Sequence, residues 1–165
     1  MNNLEIERKF LVKGSSYPWI GPRWHIMQGY VTDNTQCLVR FRHQTALDTP
    51  QEDTQAFVTV KSYQSWACNR EYETAVDPDW AMTVISEVAA WKIIKTRTYW
   101  TAPDGCVWHI DHFANGNQGL VIAEIELQSP EQTFYRPSSL GLEVTGDPRY
   151  GNISLAKNPW TTWRT

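Results

Sequence analysis

The sequence predicts an α+β domain built on an antiparallel sheet of eight strands, with a few covering helices. Short segments rich in β-branched and aromatic residues recur along nearly the whole chain, and polar and apolar residues alternate within them. Clusters of turn-forming residues separate these segments, as expected of strands joined by tight connections. The eight predicted strands cover residues 4–12, 24–31, 36–43, 55–63, 69–76, 93–101, 107–113 and 120–128.

The turns and loops between these strands have recognisable compositions. Residues 32–35 and 102–105 are rich in residues that tolerate turn dihedrals, and they predict two hairpins. Residues 44–54 contain Pro50 and several acidic or amide side chains without periodicity. We therefore expect a surface loop there, with no chemistry assigned to it.

One clear helix interrupts the strands. Asp77 is placed to cap it and Pro78 suits its first position. After Pro130, segments 131–134 and 152–157 predict two further short helices. The apolar positions of the first helix follow a helical period, so one face is expected to pack on the sheet; they are Ala81, Val84, Ile85, Val88 and Ala89.

Length, composition and charge limit the possible classes of protein. A chain of 165 residues has the size of a single domain, which we expect to cover 1–165. Hydrophobic residues make up 41% and charged residues 20%, which is typical of a globular protein. With 15 basic and 18 acidic residues the net charge is -3, which argues against a general nucleic-acid binder.

The cysteines and the first residues indicate the compartment. Cys37, Cys68 and Cys106 are far apart and lack C-x-x-C spacing, so they support neither a disulfide framework nor a zinc-cysteine site. The first ten residues carry four charged side chains, and no apolar run approaches the length of a membrane span. We expect a cytoplasmic protein without a membrane partner.

Charged residues spaced by two recur on the predicted strands, and this spacing places them on one face of a sheet. For any single pair, an open sheet that turns a charged face to water explains the pattern. The apolar residues Ile6, Phe41, Val60, Ile110 and Ile125 lie on the reverse face. The charged positions comprise six bases and seven acids: Lys9, Arg40, Arg42, Lys61, Lys95 and Arg97, with Glu5, Glu7, Glu71, Glu73, Asp111, Glu124 and Glu126.

Taken together, the recurring doublets favour a charged interior over a solvated face. A sheet of eight strands closed into a barrel has an interior that can hold one small ligand, and closure removes the sheet edges. Arginine and lysine side chains converging from several strands suit a phosphate chain. Doubled carboxylates suit a hard divalent cation, which bridges to phosphate oxygens. The pattern therefore indicates a metal-polyphosphate site.

The segment Glu-Ile-Glu-Arg-Lys-Phe at 5–10 resembles the E-x-E-x-K signature of the CYTH superfamily, the triphosphate tunnel metalloenzymes. E-x-E-x-K alone is a weak pattern, whereas the ordered set of later motifs is strong and spans nearly the whole chain. Those motifs are Leu-Val-Arg-Phe-Arg at 38–42, Thr-Val-Lys at 59–61, Glu-Tyr-Glu at 71–73, Lys-Thr-Arg at 95–97, Asp111 and Glu-Ile-Glu at 124–126.

This resemblance implies an eight-stranded antiparallel tunnel that binds a triphosphate and uses Mg²⁺ or Mn²⁺ to hydrolyse its terminal phosphoanhydride. The compact length and the run Gln28-Gly29-Tyr30 are most similar to short bacterial members that act on inorganic triphosphate. The alternatives are a thiamine or nucleoside triphosphatase, a class IV adenylyl cyclase, and a non-catalytic module that binds polyphosphate.

The resemblance also implies roles for individual residues. Tyr30 and Lys61 are similar to a tyrosine-lysine pair near the attacking water, although Tyr30 is equally an ordinary core aromatic. Glu71 and Glu73 either hold a second metal or orient the basic side chains, and we favour orientation because six cations need internal counter-charge. The implied metal ligands are Glu5, Glu7, Asp111, Glu124 and Glu126, with Glu5 and Glu126 also counted as catalytic. The implied phosphate ligands are Lys9, Arg40, Arg42, Lys61, Lys95 and Arg97.

Some positions depart from the family pattern or fall outside it. Ile153 stands where the family often has a lysine, and Arg70 directly precedes Glu71 without the expected intervening residue. His109 shares a strand face with Asp111 and could line the interior. Near the C-terminus, a tryptophan pair at 160 and 163 could close one end of the tunnel or form the surface of a homodimer.

Overall fold

Nine antiparallel strands form one sheet in the computed structural model, which describes residues 6–14, 19–34, 36–49, 53–65 and 68–163. Every pairing between neighbouring strands is antiparallel. The strands are β1 (Ile6–Val12), β2 (Arg23–Asp33), β3 (Cys37–Ala46), β4 (Thr54–Ser65), β5 (Cys68–Val76), β6 (Trp91–Thr101), β7 (Val107–Phe113), β8 (Val121–Leu127) and β9 (Leu140–Glu143).

The predicted count of eight strands is wrong by one, and the predicted closed barrel is not formed. The strand order is β5-β4-β3-β2-β6-β7-β8-β1-β9, so the sheet ends at β5 and β9, which do not pair with each other in the described ranges. The extra strand β9 pairs with the last part of β1, where Glu143 lies opposite Phe10 and Leu140 opposite Val12. Strand β9 thereby pairs with the edge of β1 that is not paired with β8, and the sheet stays open.

The first predicted helix is present, with a wider last turn. Helix α1 (Pro78–Thr83) runs into a π-helical turn at Val84–Val88, and the Asp77 carboxylate accepts a hydrogen bond from the backbone N–H of Trp80 at 2.8 Å. Ala81 and Ile85 are fully buried against the sheet, as predicted, whereas Val88 is 57% exposed and does not pack there. Val88 is the last residue of the π-helical turn, and its side chain faces solvent.

The other predicted segments have mixed outcomes. Helix α2 (Asn152–Lys157) has the predicted bounds, and the second hairpin turn at 102–105 is present. No helix forms at 131–134: the N–H of Gln132 donates to the carbonyl of Ser129, which makes a turn instead. The predicted loop 44–54 is too long, because β3 continues to Ala46 and β4 begins at Thr54. The described part of the chain contains no helix long and apolar enough to cross a membrane.

The two sides of the sheet bury different residues. On one side, Phe41 and Ala56 pack with α1, and Phe10 and Trp108 pack in a second apolar cluster. The other side carries the charged doublets, and we call it the charged face. At one end of the charged face lies a third apolar cluster, built from Tyr30, Leu38, Ile93, Phe113, Leu120, Ile122, Val144, Tyr150 and Leu155, with Trp160 and Trp163 packed against it. The tryptophan pair therefore packs at that end, together with Leu155 of α2.

Candidate active site

The strand register brings the predicted site residues together on the charged face. Residues directly opposite each other in an antiparallel pair project to the same side of the sheet. Because the doublets have a spacing of two, each strand contributes both of its charged side chains to this side. The opposite positions are Glu7 and Glu126, Lys9 and Glu124, Arg97 and Asp111, Lys61 and Glu71, Thr59 and Glu73, and Arg40 and Thr59.

Lys95, Arg97 and Asp111 form the most deeply buried ion pairs. The Asp111 side chain is 0% exposed and that of Lys95 1%. The ammonium Nζ of Lys95 lies 2.5 Å from Oδ2 of Asp111, while Nε and Nη2 of Arg97 donate to Oδ1 and Oδ2 at 2.6 and 2.7 Å. Two-point binding of a carboxylate by a guanidinium is a strong and directional contact. Asp111 is therefore fixed by two cations.

Glu124 joins this group to β1. Its Oε2 accepts a hydrogen bond from Nη2 of Arg97 at 3.0 Å, and its Oε1 accepts one from Nζ of Lys9 at 3.0 Å. Lys9 also lies 2.9 Å from Oε1 of Glu7. We call Lys9, Lys95, Arg97, Asp111 and Glu124 the core network. Its members come from β1, β6, β7 and β8, which are neighbours in the sheet.

The environment of the core network changes the pKa values of its members. Burial, reinforced by the charge of Arg97, lowers the pKa of Lys95 to about 8. Burial would raise the pKa of Asp111, but Arg97 and Lys95 outweigh it and hold that pKa well below its usual range. Burial and the charge of Arg97 lower the pKa of His109 to about 4, so this imidazole is neutral near pH 7. The core network is therefore ionised and preassembled.

A second group of charges lies on β3, β4 and β5, at the edge of the sheet. Glu73 accepts hydrogen bonds from Nη2 of Arg42 at 2.9 Å and from Nη2 of Arg40 at 3.3 Å. Nζ of Lys61 lies 2.9 Å from Oε2 of Glu71. Together with Thr59, these five residues make up what we call the edge network.

No ion pair joins the two networks in the part of the chain that the structure describes. Strand β2 lies between them and contributes Gln28 and Tyr30, both almost fully buried. The hydroxyl of Tyr30 donates to Oε1 of Gln28 at 3.3 Å, and burial raises the pKa of Tyr30. Tyr30 and Lys61, suggested as a pair by the resemblance, have different partners here, since Lys61 contacts Glu71.

The predicted metal ligands have unequal freedom to bind an ion. Asp111 and Glu124 are engaged by the cations of the core network. Glu126 is 60% exposed and its Oε1 lies 4.0 Å from Nδ1 of His109. It stands opposite Glu7, and Glu5 lies outside the described residues. Within the described ranges, no group of three or more His, Cys, Asp and Glu is arranged to hold a metal ion.

Two residues contribute to the site although no role was predicted for them. Thr59 is buried and links Arg40 to Glu73, accepting from the first at 3.0 Å and donating to the second at 2.7 Å. Asn152, at the start of α2, accepts a hydrogen bond from Nζ of Lys95 at 3.3 Å. The signal for Thr59 was its i, i+2 spacing from Lys61, whereas the contact of Asn152 spans 57 residues and has no local signature.

Known proteins that are similar to this chain in sequence support the family resemblance. No known protein-family profile matches the chain. It is 33% identical to an inorganic triphosphatase of Acetivibrio thermocellus over 160 residues, which cover 97% of both chains. It is 34% identical to an inorganic triphosphatase of Nitrosomonas europaea, over 92% of this chain and 96% of that one.

Solved structures agree in fold. A crystal structure of an inorganic triphosphatase superposes with a TM-score of 0.66 at 33% identity, over 92% of this chain and 93% of that one. A Hippeastrum protein named as a candidate adenylyl cyclase with a dominant triphosphatase activity shares the fold at 14% identity, with a TM-score of 0.51 over 78% of this chain and 81% of that one. The resemblance inferred from the ordered doublets is thereby confirmed, and the chain belongs to the inorganic triphosphatases of the CYTH superfamily.

Proposed function

We propose that this protein hydrolyses inorganic triphosphate to diphosphate and phosphate on the charged face of the sheet, with Mg²⁺ or Mn²⁺ as cofactor. The single observation that carries the proposal is the convergence of six cations on one side of the sheet in two networks that share no ion pair among the described residues. A linear chain of three phosphates carries several anionic groups, and we infer that it contacts both. We expect the two networks to form opposite walls of the triphosphate-binding site on the open sheet.

The chain's own residues supply positioning and charge neutralisation. Phosphoryl transfer needs chiefly these two contributions, because the charge that develops on the phosphoryl oxygens must be stabilised. In the proposed complex Lys9, Lys95 and Arg97 bind phosphate oxygens on one wall, and Arg40, Arg42 and Lys61 bind them on the other. Since Asp111 and Glu124 already orient the cations of the core network, little reorganisation is needed when substrate arrives.

The carboxylates opposite each other on β1 and β8 fit a divalent cation. Mg²⁺ and Mn²⁺ prefer hard oxygen ligands, and Glu7 and Glu126 are paired across the strands and partly exposed on the charged face. We propose that these two, with Glu5, hold the ion beside the phosphates, and that Asp111 and Glu124 act mainly through the cations they pair with. A bound ion would neutralise charge and polarise phosphate oxygens.

The test is phosphate release from inorganic triphosphate, thiamine triphosphate and ATP, each with Mg²⁺, Mn²⁺ or a chelator. We expect metal-dependent release that is selective for inorganic triphosphate. Glu126→Gln should remove most of this turnover without changing the melting temperature, since the side chain is largely exposed. Cyclic AMP formed from ATP would instead establish a cyclase, and tight binding without release under any condition would establish a polyphosphate-binding module.

A further inference from the structure

Glu73 contacts the cations of the edge network through both of its carboxylate oxygens. Its Oε1 accepts a hydrogen bond from Arg42 at 2.9 Å, and its Oε2 accepts one from Arg40 at 3.3 Å. The hydroxyl of Thr59 donates to the same Oε2 at 2.7 Å. One carboxylate thus spans two guanidinium groups and a hydroxyl. Arginines bind carboxylates and phosphates through the same arrangement of donors, so the two anions are interchangeable at this position.

The contacts of Glu73 are less complete than those of Asp111. Arg97 offers Asp111 two nitrogens at 2.6 and 2.7 Å, and this carboxylate has no exposed surface. Arg40 and Arg42 each offer Glu73 one nitrogen, and their Nε atoms are buried without a hydrogen-bond partner in the described part of the chain. A buried donor without a partner is costly. The edge network therefore contains two guanidinium groups that each have a buried donor without an acceptor among the described residues.

The exposed fraction of each side chain indicates which of the two carboxylates, Glu73 or Asp111, an incoming anion can displace from its arginines. The Glu73 side chain is 33% exposed, whereas that of Asp111 is 0% exposed. Glu73 lies on β5, the outermost strand at this end of the sheet, so β4 is its only neighbouring strand in the described ranges. Displacing a partly exposed carboxylate costs little compared with breaking a buried pair. The edge network is therefore the half of the site in which an incoming anion can replace a carboxylate of the protein.

We propose that Glu73 is an internal competitor of the substrate, which sets the affinity of the site. It holds Arg40 and Arg42 while the site is empty, triphosphate displaces it, and it returns to both arginines as the product leaves. The inference rests on the proposed function and adds an affinity-determining residue to it. When only a fraction of the molecules has the arginines free, the measured dissociation constant equals the intrinsic one divided by that fraction, and it is therefore higher. Removing the competitor must then tighten binding.

The alternative is that Glu73 only orients the two arginines. The arginines would then become mobile without it, and triphosphate would bind more weakly because ordering them costs conformational entropy. The two roles therefore predict opposite signs for the same substitution.

The experiment measures the Kd of inorganic triphosphate by calorimetry, in chelator so that no turnover occurs, for Glu73→Gln and Glu73→Asp. Aspartate keeps the charge but withdraws the carboxylate by about 1.5 Å, so it cannot span both arginines. We expect both variants to bind about threefold to tenfold more tightly than the wild type, the range for loss of two partly exposed pairs. The KM for hydrolysis should fall in parallel.

Three results would overturn the inference. Binding that is unchanged or weaker in both variants would mean that Glu73 orients the arginines. Tighter binding in Glu73→Gln with none in Glu73→Asp would mean that net charge alone is responsible. Equal tightening in Asp48→Asn would mean the same, since Asp48 forms an exposed pair with Arg23 at 2.6 Å away from both networks.

The same measurements separate this inference from the proposed function. A wild-type chain that binds triphosphate in chelator but releases no phosphate with either ion contradicts the proposed function, while the sign of the Glu73 effect still decides the inference. Active variants with unchanged Kd contradict the inference alone. Absence of binding in the wild type and in both variants, with melting curves that show folded protein, contradicts both.

Discussion

Asp111 holds two cations in the interior of the protein, and at the scale of single residues this makes it a structural group as well as part of the site. Replacing one partner of a buried ion pair leaves an uncompensated charge, which costs about 3–5 kcal/mol. We therefore expect Asp111→Asn to lower the free energy of unfolding by that amount in urea titrations. Asp147→Asn is the control: Asp147 is partly exposed, pairs with the exposed Arg149 at 2.6 Å, and accepts a backbone hydrogen bond that asparagine can also accept, so stability should change little. Equal losses in the two variants would contradict the structural role.

His109 should make the fold sensitive to acid. Its pKa is lowered to about 4 by burial and by Arg97, whereas the unfolded value is near 6.5. Between those values the unfolded chain binds a proton that the folded chain excludes, so stability falls as the pH decreases from 6.5 to 4, by up to about 3 kcal/mol. His109→Gln should remove this part of the pH dependence.

The measurement is the free energy of unfolding of the wild type and the variant at pH 7 and pH 4.5. His25→Gln is the control, since His25 lies opposite Thr96 and projects from the reverse side of the sheet, away from Arg97. The His25→Gln variant should keep most of the decrease in unfolding free energy that the wild type shows between pH 7 and pH 4.5. A His109→Gln variant with the full wild-type slope would assign the acid sensitivity to other groups.

At the scale of elements, Gly29 allows α1 and the turn that follows it to approach β2. A Cβ at this position would lie 2.8 Å from Cβ of Ala89 and 3.0 Å from Cγ1 of Ile85. Overpacking of this kind costs about 1–3 kcal/mol. We expect Gly29→Ala to lower the melting temperature, and the double variant with Ala89→Gly to recover part of the loss. A lack of recovery would mean that the cost does not arise at this contact.

The strands were predictable because alternation with a period of two is local information. All eight predicted strands correspond to β1–β8, and 107–113 has the predicted bounds. Leu140 and Leu142 of β9 also alternate, but four residues are too few to distinguish a strand from a loop with apolar contacts. The open edge of the sheet was not predictable, because closure depends on how the far ends of the sheet meet.

The membership of the site was predictable, whereas its pairing was not. Spacing places Lys95, Arg97 and Asp111 on one face, but only the strand order decides that Arg97 contacts Asp111 and that Arg42 contacts Glu73. Arg8 shows the same limit, since its partner Glu143 is 135 residues away. Local spacing gives the face on which a side chain lies, and long-range pairing gives its partner.

At the scale of the whole molecule, the site is divided between two parts of one sheet. The core network lies on β1, β6, β7 and β8, and the edge network on β3, β4 and β5. Each pairs its three cations with two carboxylates of its own, and β2 separates the two networks with Gln28 and Tyr30. A ligand that contacts both networks adds a connection that the described residues do not supply. Binding of such a ligand should therefore stabilise the strands of both networks at once.

Hydrogen exchange tests this division. A ligand that binds only the folded state stabilises it by mass action, and the gain appears in the segments whose opening breaks ligand contacts. We expect inorganic triphosphate in chelator to slow exchange in β4–β5 and in β6–β8 together. In a variant carrying Arg40→Gln and Arg42→Gln, protection should be confined to β6–β8, because the phosphate chain then lacks its partners on the edge strands. Protection of a single region in the wild type would place the whole triphosphate on one network and would refute the two-walled site.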